Sequence, residues 1–138
     1  MTENLQKAKA ILDEGDATCV ILPAGGDAVC LSERGIAPLV HILRTSPELL
    51  RGAASADRVV GKAAAMLFAY GGVREVYAAV LSEPAAGFLD SCGILYGFEK
   101  RVPYIVNRAG DGMCPMETRA LPLTDPHKAW RLFDEICR

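Results

Sequence analysis

Polar and apolar positions divide the chain into short alternating segments. Leu5, Ala8, Ile11 and Leu12 give residues 3–14 one apolar helical face, with Thr2 as N-cap and Gly15 as the stop. Thr18–Leu22 and Ala28–Leu31 read as strands about the Gly25-Gly26-Asp27 turn, an antiparallel hairpin. A short helix follows Pro38, carrying Leu39, Val40 and Leu43, and the chain turns again at Ser46-Pro47. Residues 56–84 organise the rest. Ala56, Val59, Val60, Ala63, Ala64, Leu67 and Phe68 fall on one helical stripe, and Ala65, Met66 and Ala69 make the opposite face apolar too. That predicts a helix buried on more than one side and stopped by Gly71-Gly72. Val73–Leu81 is an apolar run suited to a central strand covered on both faces. Ser82-Glu83-Pro84 opens the next helix, which runs from Glu83 to Ser91, and Gly93 closes it. Ile94–Val102 reads as a strand with a polar end, and 103–118 as an irregular binding loop. A last helix starts at Asp125-Pro126 and buries Trp130, Phe133 and Ile136. The pattern predicts one α/β domain over 1–138: a three-layer α/β/α sandwich on a mixed sheet of about four or five strands.

Composition narrows the function classes. The chain has 138 residues, is 51% apolar and carries a formal charge of −2, which supplies a core and argues against disorder. No nucleic-acid partner is expected, since no basic cluster exceeds two residues. No apolar run is long enough for a membrane span, and Met1–Glu14 lacks a secretory pattern. The five cysteines, Cys19, Cys30, Cys92, Cys114 and Cys137, form no CxxC, which suggests free thiols in the cytoplasm. Cys19, Cys30 and Cys92 are expected to be ordinary buried thiols.

Several motifs fail on inspection. Gly61-Lys62 resembles the end of a phosphate loop, but Ala56 stands where its first glycine belongs and Ala63 where its hydroxyl belongs. Gly110-Asp111-Gly112 lacks the helix-opening third glycine. His41 and His127 have no partner at ligand spacing, so no metal and no cofactor is expected. What remains is a set of polar residues in apolar surroundings. Cys114, beside Pro115 and near Arg108, is the candidate nucleophile or redox thiol, although no histidine shares its loop to serve as base. Lys62 is the lone charge between Val59 and Val73, close to a helix start that would favour an anion. It needs a ligand or a carboxylate, and Glu83 and Asp57 are the candidate ion-pair partners.

The layout of hairpin, helix, strand, helix, strand resembles the cytidine-deaminase-like fold. Zinc-dependent deaminases carry H-x-E at the start of one core helix and P-C-x-x-C at the start of the next. Here ADRVVGKAAAML and LSEPAAGFLDSCGI occupy those places. The run from DRVVGKAAA through VYAAVLSEPA to VPYIVNRAGDGMCPMET is similar to a small uncharacterised prokaryotic family assigned to that fold. The zinc ligands do not carry over. Val60 and Lys62 fall at the histidine and glutamate, and Ala85 and Phe88 at the two cysteines. Methyl and phenyl groups cannot hold Zn²⁺, so the resemblance implies the fold without its metal-activated water. It suggests a nucleotide- or nucleobase-like small-molecule ligand, bound by Asp57, Lys62, Glu83, Asn107, Arg108 and Glu117. Cys114 or Lys62 would be catalytic if a reaction occurs. The alternative is a non-catalytic structural or regulatory module that has lost the chemistry. A homodimer is a further implication of the resemblance.

Overall fold

The computed structural model describes residues 1–138. Its elements, in order, are α1 (Glu3–Glu14), β1 (Cys19–Leu22), β2 (Val29–Leu31), α2 (Ala37–Thr45), a 3₁₀ turn at Pro47–Leu49, β3 (Ala54–Val60), α3 (Lys62–Gly71), β4 (Glu75–Ser82), α4 (Glu83–Cys92), β5 (Leu95–Val102), α5 (Pro115–Ala120) and α6 (Pro126–Ile136). The five strands form one mixed sheet in the order β2-β1-β3-β4-β5. β1 runs antiparallel to both β2 and β3. β3, β4 and β5 are mutually parallel. The parallel part is two successive strand–helix–strand crossovers, and it places the starts of α3 and α4 side by side at one end of the sheet.

Helices cover the two faces unequally. On one, α1 packs Leu5, Ala8 and Leu12 on Val20, Leu22, Ala54, Ala56 and Tyr77. The other face carries the main core, where Ile21, Val76 and Ala78 meet Leu39, Leu43, Met66, Leu67, Phe68, Leu89 and Phe133. β1 feeds both clusters by alternation, Cys19 and Ile21 on one side and Val20 and Leu22 on the other. Arg44 of α2 ties this layer to α6 through Asp134, with Nε donating at 2.8 Å.

Local chemistry explains most of the boundaries. Thr2 Oγ1 accepts from Leu5 N, Ser82 Oγ from Ala85 N, and Asp125 Oδ1 from His127 N, so α1, α4 and α6 each begin at a side-chain cap. Gly72 and Gly93 end α3 and α4 with φ of 84° and 68°, a left-handed conformation that side chains resist.

Four expectations are corrected. The segment 54–60 is a strand, although its apolar residues continue the helical stripe of α3. β3 hydrogen-bonds to neighbours on both sides, and that pairing outweighs a run of ambiguous period. Within 103–118, Pro115 starts a short helix, α5. Cys30 and Cys92 are exposed, and only Cys19 of the three is buried, because Cys30 lies on the short outer strand and Cys92 at a helix end. Ile136 is 37% exposed at the last turn of α6, where the inward face ends at Phe133.

Gly71 tests the tightness of the main core. A methyl there would sit 2.7 Å from Leu50 Cδ1 and 2.9 Å from Leu50 Cβ. Gly71→Ala therefore destabilises the protein by about 1–3 kcal/mol in denaturant titration, despite the better helix propensity of alanine.

Candidate functional site

The parallel strands β3 and β4 each hand over directly to a helix. Gly61 is the N-cap position of α3 and Ser82 that of α4. Free backbone N–H groups of two helices therefore converge at the carboxyl end of the sheet, which is where open α/β sheets bind ligands. In this protein the convergence is filled from within. Glu117, on α5, is 1% exposed. Its Oε1 accepts from Lys62 N at 2.8 Å and from Ser82 Oγ at 2.6 Å, and its Oε2 accepts from Ile105 N. One carboxylate thus joins the start of α3, the cap of α4 and the strand-to-α5 loop. Its charge is compensated by three donors and by the positive ends of two helix dipoles.

Backbone approach is correspondingly close. A Cβ at Gly61 would lie 3.0 Å from Ile105 Cγ1 and 3.2 Å from Glu117 Oε1. Lys62 completes the closure. Its Nζ donates to Leu121 O at 2.7 Å, and Leu121 is the C-cap residue of α5. A cation there is favoured by the helix carbonyls. Desolvation lowers the Lys62 pKa, and the Glu117 charge opposes that shift.

The other candidate residues have different partners. Glu83 is exposed and pairs with Arg101 at 2.7 Å rather than with Lys62. The hydrogen bond from Arg101, more than its charge, holds the Glu83 carboxyl below its ordinary pKa. Asp57 lies opposite Cys19 in the β1–β3 pair, and its Oδ1 accepts from Val59 N at 3.2 Å. Burial pushes its pKa up to about 7, against hydrogen bonds from Val59 N, Cys19 and Arg58 N. Part of Asp57 reaches the surface, yet desolvation of the carboxyl is the larger effect. Burial and the Asp57 charge together push the Cys19 thiol well up, so it rests protonated.

The loop before α5 is an ordered hairpin rather than an irregular lid. Asn107 N donates to Gly112 O, Cys114 N donates to Ile105 O, and Val106 bridges Met113. The Asn107 side chain is spent inside it, accepting from Gly110 N and Asp111 N and donating to Asp111 Oδ1. Arg108 is exposed at its tip, and Cys114 is half-buried at its base. Lys62 and Glu117 therefore meet directly, Cys114 precedes Glu117 by three residues, and Asn107 follows its donor Ile105 by two. Asp57 and Glu83 stand apart with other partners.

Two clefts lie away from this cluster. One of about 520 Å³ is lined by Cys30, Glu33, His41, Arg44 and Cys137 among others. A second, of about 230 Å³, is lined by Thr2, Asn4, Gly52, Arg74 and Glu75 among others. None of the candidate residues borders either. The groups that sequence reasoning missed are Ser82 Oγ, Ile105 N and Leu121 O. Two of the three are backbone, which carries no residue signature, and Ser82 reads simply as a helix cap.

A family model described as TM1506, "Domain of unknown function (DUF1893)", matches residues 7–137. The chain belongs to this DUF1893 family. Its structure is similar to the crystal structure of a DUF1893 family protein (TM1506) from Thermotoga maritima, with a TM-score of 0.88 and 24% sequence identity. The match covers 99% of this chain and 91% of that one. At that identity the likeness concerns the fold: an open, five-stranded mixed sheet with helices. No curated protein matches the chain. The DUF1893 α/β fold thus stands on family and structure together.

Three outcomes follow from the site. Glu117→Ala strands Lys62 N–H, Ser82 O–H and Ile105 N–H without their acceptor and costs about 3 kcal/mol or more in chemical denaturation. Glu83→Ala removes only an exposed pair and leaves the denaturation midpoint essentially unchanged. For Asp57 the folded-state pKa of about 7 exceeds its ordinary value of 3.8, so the folded protein holds the extra proton. Its stabilisation is complete below about pH 4 and is lost as the pH rises through about 7. Asp57→Asn flattens that part of the stability–pH curve in denaturant titrations across the interval.

Proposed function

We propose that this DUF1893 protein is a non-catalytic, metal-free module of deaminase-like design, closed at its former reaction centre by its own Glu117. The observation that carries this reading is the burial of the Glu117 carboxylate between the starts of α3 and α4, with its three donors satisfied internally. In a deaminase of this layout the zinc ligands and the catalytic glutamate would flank that gap. The side chains in the equivalent places here, Val60, Lys62, Ala85 and Phe88, offer no metal-binding pair, and Lys62 is engaged with Leu121 O. The rigid crossover scaffold remains, and its role on this reading is structural or regulatory.

A second reading keeps a small-molecule site at the same edge, for a nucleotide- or nucleobase-like ligand. It is favoured by Arg108, exposed at the tip of the hairpin, and by Cys114, half-buried at its base three residues before Glu117. Arg108 could hold an anionic group, and Cys114 could act as nucleophile.

Thermal melting against nucleobases, nucleosides and nucleotides separates the two. The module reading expects no saturable shift, and no ammonia release from any of these compounds with or without added zinc. A saturable rise in melting temperature that Arg108→Ala abolishes would overturn it in favour of the ligand site.

A further inference from the structure

β5 is the last strand of the sheet, and only its β4 side is hydrogen-bonded. It has eight residues, whereas the opposite edge strand, β2, has three. An outer strand of this length presents a row of unpaired backbone groups, which proteins normally shorten, bulge, cover or guard with charge. Here Leu95 is 63% exposed and Phe98 42% exposed, and the guard is confined to Glu99, Lys100 and Arg101.

Those charges are compatible with one pairing of the strand with itself. We propose that β5 pairs antiparallel with β5 of a second copy, on a two-fold axis through Phe98, extending the sheet across a homodimer. A two-fold axis normal to the sheet keeps each face on its own side, so it must pass through a residue. Through Glu99 it would oppose Glu99 to itself, and through Lys100 it would oppose Lys100 to itself; like charges so placed repel. Through Gly97 it would match only Leu95–Glu99 of the strand. Through Phe98 it matches Leu95–Arg101 and opposes no like charges.

In that register Phe98 faces its own copy, an aromatic pair at the centre of the interface. Tyr96, stacked beside Phe98 at 6.4 Å between ring centroids, lies opposite the partner's Lys100, a cation facing a ring. Leu95 lies opposite the partner's Arg101, whose aliphatic stem can cover it. Arg101 is already oriented by Glu83, and its guanidinium sits 5.9 Å from the Phe98 ring centroid. Gly97 lies opposite the partner's Glu99. Met1 packs on Gly97 at one face of β5, with its Sδ 3.0 Å from where a Cβ would stand. The backbone edge itself remains open. The dimer is independent of whether the Glu117 centre is closed or binds a ligand, since β5 contributes none of the groups around that carboxylate.

Sedimentation equilibrium over a range of loading concentrations is the direct test. The expected result is a mass rising from the 14.8 kDa of one chain toward twice that value. Phe98→Asp places two carboxylates against each other and is expected to hold the protein at the single-chain mass, with an unchanged circular dichroism spectrum. Register is read separately. In a background lacking the exposed thiols (Cys30→Ser, Cys92→Ser), Phe98→Cys is oxidised and the linked peptides are mapped by mass spectrometry. A disulfide between the two position-98 thiols is expected, and none in the matched Glu99→Cys protein. A single-chain mass at every concentration, a dimer indifferent to Phe98→Asp, or cross-linking at 99 in place of 98 would each overturn the proposal.

Discussion

The interaction on which the architecture depends is the buried carboxylate of Glu117. Two parallel crossovers bring the first turns of α3 and α4 to the same end of the sheet, and their free N–H groups need an acceptor. Glu117 meets one of them at Lys62 N, and reaches the other helix through Ser82, whose hydroxyl caps α4 and donates to Oε1. Its second oxygen takes Ile105 N and so anchors the ordered hairpin that follows β5. A carboxylate is costly to bury alone, and the three donors are what make its burial tolerable.

Several otherwise unrelated residues follow from that constraint. Gly61 must be small because Ile105 and Glu117 occupy the space a side chain would need. Lys62 is drawn to the last carbonyl of α5 rather than to Glu83, which leaves Glu83 for Arg101 on β5. The same geometry bears on chemistry. A pair of helix starts is a ready anion site, and here the anion belongs to the protein.

Much of this fold was legible in the chain. The helix starts at Thr2, Ser82 and Asp125 and the stops at Gly72 and Gly93 were readable because capping is local chemistry, set by a few adjacent residues. The hairpin of β1 and β2 was readable for the same reason. β3 was not, because Ala56, Val59 and Val60 continue the spacing of α3, and the evidence for a strand lies in partners distant along the chain. Of the candidate residues, Lys62 and Glu117 do meet, but the expected partnership of Lys62 with Glu83 or Asp57 is replaced by contacts with Leu121 and Glu117. Charge alone could not rank those partners, because hydrogen bonds to backbone atoms leave no trace in residue identity.

By itself, then, the sequence determined an α/β domain with an apolar interior strand and a polar cluster after β5. Periodicity, caps and donor chemistry act over a few residues and can be read in order. Only the tertiary structure decided that β3 is a strand, that Glu117 closes the gap between α3 and α4, that Asp57 stands with Cys19, and that β5 keeps an open edge. Each of these depends on which segments become neighbours across the sheet, and that is settled by packing and long-range hydrogen bonding rather than by local preference.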